Sequence, residues 1–176
     1  MSGTTVHIPT LETDRLILRA PALSDFDAYA AFRGSDRTVH IGGPDKRHES
    51  FDKLCAIVGH WHLRGYGRWS VADKATGQPL GIVGLMYPDD WPEPEIAWSV
   101  YEPAEGRGIA LEAALASRAY AYSTLGWTRV VSCVSPANIR SAALATRMGA
   151  TLERTIDHPE IGKLGIYLHP APDSMQ

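Results

Sequence analysis

The run Glu105-Gly106-Arg107-Gly108-Ile109-Ala110-Leu111-Glu112 constrains this chain more than any other feature. Two glycines one residue apart make a tight turn, and the alanine-rich stretch behind it is a strong helix former, so the turn is predicted to open a helix. A helix start leaves backbone N–H groups without partners and carries the positive end of the helix dipole. Several donors then converge on one point, which suits a diphosphate, and the missing Cβ atoms at Gly106 and Gly108 let it approach. The spacing excludes two common phosphate folds. Neither the G-x-G-x-x-G of dinucleotide sites nor the G-x-x-x-x-G-K-[ST] of nucleoside triphosphatases is present.

The segment before this turn reads as antiparallel strands interrupted by two helices. Arg15 to Arg19 is a strand, and Ser24 is placed as the N-cap of a helix with Asp25 and Asp27 in its first turn, ending near Gly34. Residues 35 to 49 are polar and glycine-broken and read as a loop. Phe51, Leu54, Cys55, Val58 and Trp61 then recur at helical spacing, making Ser50 to Arg64 an amphipathic helix. Arg68 to Asp73 and Pro79 to Tyr87 flank Ala75-Thr76-Gly77-Gln78, a hairpin signal, and Glu95 to Tyr101 is a strand after the proline-rich Pro88 to Pro94 turn.

Beyond the glycine turn, helix and strand alternate. Gly108 to Leu125 and Ile139 to Met148 are predicted helices, stopped by Gly126 and Gly149. Thr128 to Val134, Thr151 to Asp157 and Leu164 to His169 are strands, and His169 to Gln176 is a loose tail. The fold class is therefore α+β, with a mixed, mostly antiparallel sheet of about six to seven strands flanked by about four helices.

Composition narrows the class. At 176 residues, 44% hydrophobic and 21% charged, the chain is sized for one domain over residues 1–176, its core running from about 9 to 169. A net charge of −3 with scattered arginines gives no basic stripe for nucleic acid. The first residues lack a basic segment followed by an apolar run, and no stretch is long and apolar enough to cross a membrane, so a soluble cytoplasmic protein is expected. Cys55 and Cys133 are too far apart for a metal pair and make no disulfide framework. His60 and His62 are two residues apart on a helix and face differently, so no metal site is expected.

The glycine turn resembles the acetyl-CoA pyrophosphate loop of the GNAT N-acetyltransferases, [Q/R]-x-x-G-x-[G/A], which Glu105 to Ala110 match at every position but the first. Further segments are similar to the RimJ/RimL branch of that superfamily, in the same order: Pro9 to Arg19, Gly65 to Val71, Leu80 to Leu85, Glu95-Ile96-Ala97-Trp98, Ser135 to Ser141 and Arg147 to Ala150. The resemblance covers roughly residues 9 to 169, and ordered multiple motifs are hard to meet by chance.

This resemblance implies a GNAT fold whose sheet splays at the middle. The pantetheine arm of acetyl-CoA would enter the gap like an added strand, on backbone groups near Val100 and Tyr101, although Trp98 to Tyr101 also reads as an ordinary strand. Gly106, Arg107, Gly108, Ile109 and Ala110 would hold the diphosphate, Arg107 equally reading as a solvated surface residue. Glu105 departs from the family pattern, and because a carboxylate repels a diphosphate by about 1 kcal/mol, it is expected to turn to solvent.

Amine acetylation needs a neutral nitrogen, a thioester within reach and a proton acceptor. Glu95 matches the glutamate that several GNAT enzymes use as general base, its alternative being a surface strand residue. Asn138 and Ser141 form an N-x-x-S element facing the pantetheine and thiol end, with Asn138 also an N-cap candidate. A tyrosine acid common in the superfamily is missing from Ala142 to Thr146, leaving Ser141 or water to serve the leaving thiolate. Cys133 and Trp69 read as core, His158 as a solvated loop residue, and Trp91 is left open.

The implied activity is acetyl transfer from acetyl-CoA to an amine acceptor, a protein N-terminus or a small molecule, by direct attack and without metal. A homodimer is compatible with it. The alternative is a catalytically silent acyl-CoA-binding module on the same fold.

Overall fold

A computed structural model describes residues 6–172; the two chain ends, including the last four residues of the expected loose tail, lie outside the described residues. The described residues form one eight-stranded sheet in the order β1-β2-β3-β4-β5-β6-β8-β7. Its strands are β1 (Leu11–Glu12), β2 (Leu16–Arg19), β3 (Arg68–Asp73), β4 (Pro79–Met86), β5 (Glu95–Val100), β6 (Val131–Val134), β7 (Thr151–His158) and β8 (Gly162–Leu168). Four α-helices cover it: α1 (Phe26–Arg33), α2 (Arg47–Arg64), α3 (Ile109–Ser123) and α4 (Ile139–Arg147). The eighth strand beyond the six to seven expected is the two-residue β1, too short for any period to register.

Pleat alternation sorts the central strands onto two cores. On β4, Val83 and Leu85 face the small side of α3, where Ala113, Ala114 and Ala121 let the helix sit close, while Ile82 faces Tyr29 and Phe32 of α1 and Leu54 and Ile57 of α2. All strand pairs are antiparallel except β5 with β6, which follow one another through α3. That exception makes the site.

Several local expectations are corrected. Ser24 does not cap α1: a 3-10 turn, Leu23–Asp25, precedes the helix, and Asp25 is buried with its carboxylate accepting the Ala22 N–H and both terminal nitrogens of Arg19. The expected loop from 35 to 49 contains a 3-10 turn at Asp36–Ile41 and the first residues of α2. On α2 the buried stripe is Ser50, Leu54, Ile57 and Trp61, not the set including Phe51, Cys55 and Val58. Phe51 instead stands edge-on to Phe26 with ring centres 5.2 Å apart, because α1 covers that side of the helix. His60 is a structural pin: its Nδ1 contacts Tyr66 O at 2.8 Å and its Nε2 accepts the Tyr87 N–H.

His169, expected where the last strand passes into the tail, is a core residue only 3% exposed. Its Nε2 bonds Ser132 Oγ at 3.0 Å, Ser132 Oγ donates to Ile96 O at 2.7 Å, and the Arg118 guanidinium faces Nδ1. Burial, with Arg118 beside it, pushes the His169 pKa down to about 4. The unfolded chain therefore binds a proton between pH ~6.5 and 4 that the native state refuses, so this contribution to stability falls as pH drops through that window and is constant above it. Comparing urea unfolding of wild type and His169→Gln across pH 4 to 7 should show a wild-type loss of about 3 kcal/mol that the variant lacks. Parallel pH profiles would remove His169 as the cause.

Candidate active site

β5 and β6 share a single register pair, Glu95 opposite Val131, and then diverge. Two side chains span the split where the backbone ladder stops. Glu95 Oε2 accepts the Cys133 N–H at 2.6 Å, and Ser132 Oγ donates to Ile96 O. Glu95 Oε1 accepts the indole N–H of Trp91 at 2.8 Å, which gives the proline-flanked Trp91 its role. Glu95 thus sits at the apex of the gap and is 4% exposed, not on the outer surface. Burial raises its pKa to about 7 against the lowering pull of the Cys133 amide and Trp91. A carboxyl so tuned exchanges a proton readily near neutral pH.

The gap itself presents backbone groups. Tyr101 N–H donates to Leu80 O at 2.8 Å, and alternation along the β4–β5 ladder turns the N–H and C=O of Val100 and Trp98 to the β6 side, where no strand pairs with them. Tyr101 is different: both its backbone groups are engaged, the carbonyl by Ala104 N–H, and its ring packs on Phe32. Of the expected pair only Val100 offers a free backbone edge.

The glycine turn follows a 3-10 turn at Glu102–Ala104. Gly106 and Gly108 adopt φ of 70° and 76°, the left-handed region that L side chains rarely enter, and Gly108 is the N-cap of α3. The Glu112 N–H is the first to bond back into the helix, to Gly108 O; among the described residues the N–H groups from Gly106 to Leu111 have no acceptor. Arg107 leaves this cradle, its side chain reaching toward Asp73 and its carbonyl accepting from Arg15.

Asn138 is the N-cap of α4, its Oδ1 accepting the Ser141 N–H, and Ser141 Oγ accepts the Trp98 indole N–H at 3.2 Å. Both residues stand where two cavities meet. One, about 730 Å³, runs along the glycine cradle; the other, about 360 Å³, leads to Glu95 and Cys133. Cys133, expected in the core, is half-buried on this wall, and burial together with the Glu95 carboxylate pushes its thiol up. A thiol so held is a poor nucleophile. His158 is buried, not solvated: its ring lies 5.3 Å from that of Trp91, and its Nε2 is 3.3 Å from Asp90. Trp69 is core, donating its indole N–H to Pro9 O.

Glu105 does not face solvent. It pairs with Arg37 and, at 2.8 Å, with Arg140, so two guanidinium groups neutralise the one misplaced carboxylate beside the cradle. Arg37, Arg140 and Arg147 all line the larger cavity. Isolated arginines in a loop and on α4 carry no sequence signal of their own; only the fold brings them together. Among the described residues no group of three or more His, Cys, Asp or Glu could hold a metal ion, and no helix is long and apolar enough to cross a membrane.

The donor cradle, the open strand edge and the joined cavities suit a long ligand with a diphosphate at one end and a thioester at the other. The sequence profile described as the acetyltransferase (GNAT) domain matches residues 15–151. The chain belongs to the GNAT acetyltransferases. An acetyltransferase structure from Agrobacterium tumefaciens str. C58 is 38% identical, with a TM-score of 0.85 over 97% of this chain and 99% of that one. An uncharacterized N-acetyltransferase of Bacillus subtilis, YoaA, is 27% identical across 80% of this chain and 82% of its own length. RimL, a ribosomal L7/L12 α-N-protein acetyltransferase solved with coenzyme A, shares the fold at 18% identity, with a TM-score of 0.73 over 92% of this chain and 97% of that one. This protein is thus an N-acetyltransferase whose family transfers acetyl groups from acetyl-CoA.

Proposed function

We propose that this GNAT enzyme acetylates a primary amine, of a protein N-terminus or a small molecule, with Glu95 as proton acceptor. The observation that carries the reading is a buried carboxyl poised near neutrality at the apex of the gap, in a cavity that opens onto the glycine cradle. The N–H groups of Gly106, Gly108, Ile109 and Ala110 would hold the diphosphate of acetyl-CoA, and the Val100 edge with Asn138 the pantetheine amides. Acetyl-CoA supplies the activated acyl carbon. The amine nitrogen attacks that carbon, the C–S bond breaks, and the nitrogen's surplus proton passes to Glu95. Ser141 Oγ already accepts from Trp98, so its own hydrogen is free to bond the departing sulfur. A direct attack fits Cys133 better than an acyl-cysteine relay, because its thiol is held protonated.

The reading extends to a cytoplasmic protein of the RimJ/RimL type, supported by the order of its motifs and by two free cysteines. Calorimetry with coenzyme A, followed by thiol release from acetyl-CoA against peptides and small amines, tests it. Heat with coenzyme A but no amine-dependent thiol would favour a silent acyl-CoA-binding module.

Glu105 supplies a sharper check on the cradle. Glu105→Gln removes a negative charge beside the diphosphate and frees Arg37 and Arg140 to meet it, so coenzyme A should bind about fivefold more tightly at low salt. Weaker binding would mean that Glu105 serves the cofactor by ordering the two arginines.

A further inference from the structure

The smaller cavity has a polar wall that the acetyl transfer itself does not use. Arg33 of α1 is 5% exposed; its Nε bonds Asp45 and its Nη1 reaches Ile41 O, but its buried Nη2 has no partner among the described residues. Arg68 at the start of β3 is half-buried, and its guanidinium has neither an ion pair nor a hydrogen-bond acceptor among the described residues. Tyr29, one helical turn before Arg33, is buried and its hydroxyl also lacks a partner there. All three line the cavity that contains Glu95.

The charges around them point one way. Lys53 shares Asp45 with Arg33, both carboxylate oxygens of Asp45 standing 2.8 Å from the Lys53 nitrogen, so that acid is fully engaged. Among the described residues the only carboxylate on the cavity wall is Glu95, already holding two N–H donors, while Arg33, Lys53 and Arg68 are cations and His40 adds a further donor. Arg68 also borders a neighbouring hollow under α2, and it shares the smaller cavity with Tyr29 and Glu95. Of these donors Arg33 Nη2 is fully buried, and a buried donor without an acceptor is costly and seldom left unmet. A polyamine or another polycation would meet uncompensated positive charge here.

We infer that the acceptor is an amine that also carries a carboxylate, which the Arg68 guanidinium binds together with Arg33 Nη2 and the Tyr29 hydroxyl while the amine faces Glu95. This rests on the acetyl-transfer reading above and adds the chemical class of the acceptor. The wall then has one cationic and one anionic pole, the complement of an amino-acid-like zwitterion. The carboxylate comes either from a free amino acid or from an acidic side chain close to a peptide N-terminus.

The test is thiol release from acetyl-CoA with matched pairs: amino acids against their amides, and peptides with Asp or Glu in their first two positions against the Asn or Gln counterparts. Wild type should prefer the carboxylate member of at least one pair by 10- to 100-fold in kcat/KM, the range of one charge-assisted hydrogen-bond pair. Arg68→Met should abolish the preference through KM, Arg68→Lys should restore part of it, and coenzyme A affinity should stay the same in both. Which pair responds tells the free amino acid from the peptide. Turnover of the neutral members equal to that of the acids, or a preference surviving in Arg68→Met, overturns the inference while leaving acetyl transfer intact. If no amine is acetylated, calorimetry of the coenzyme A complex with the same panel decides: carboxylate binding lost in Arg68→Met upholds the anion site without the transfer reading, and no binding removes both.

Discussion

Glu95→Gln is expected to lower kcat by about two orders of magnitude at pH 8 while leaving the coenzyme A dissociation constant within about twofold, the usual worth of a positioned general base. The amide keeps the side-chain volume between β5 and β6 and one acceptor for the two N–H donors, but it cannot take a proton. The pH profile makes the test specific. Burial holds the Glu95 carboxyl at about 7, so the base form is lost below that pH and present above it. Wild-type kcat/KM should climb between pH 6 and 8, and the ratio of wild type to variant should rise with its midpoint near pH 7 and level off near pH 8. Titration of the acceptor amine affects both proteins alike and cancels in the ratio. Equal turnover at pH 8 would take Glu95 out of the chemistry and leave it a strut at the mouth of the gap.

Gly108→Val should weaken coenzyme A about 30-fold with much less change in kcat at saturation. At φ of 76° a β-branched residue costs on the order of 1–2 kcal/mol, and the turn relieves that strain by rotating the N–H groups that begin α3. Among the described residues nothing crowds the position beyond Arg15 Nη2 at 3.5 Å, so the effect comes from the backbone and not from a clash. Gly126→Val is the control, since φ there is 68° and no atom of the described residues lies within 4 Å of an added Cβ, but the residue follows the far end of α3. Both variants should lose comparable thermal stability, and only Gly108→Val should lose coenzyme A binding by calorimetry. Equal loss of affinity in the two would trace the effect to general destabilisation of α3.

The elements with local causes were readable from the chain. The turn at Gly106 and Gly108 needs a left-handed backbone, Gly126 and Gly149 end α3 and α4 in the same conformation, and Asp73 with Gly77 closes the β3–β4 hairpin through side-chain bonds to Ala75 and Thr76. These signals act within a few residues, so composition and spacing carry them. Helix faces were less legible, because α2 is packed by the sheet and α1 together and its buried stripe depends on where α1 lies.

What the tertiary structure alone decided are the properties that arise between distant residues. Glu105 looked misplaced until Arg37 and Arg140 arrived from a loop and from α4. His169 and Ser132 meet across two strands and leave the gap propped at Ile96. The proton affinity of Glu95 reflects burial and two donors, Trp91 and the Cys133 amide, and Arg33 with its unmatched Nη2 converges with Arg68 and Tyr29 from α1 and β3. Sequence named the chemical groups and the turn that receives a phosphate; desolvation and long-range juxtaposition, which no local pattern encodes, set their charge states and what they face.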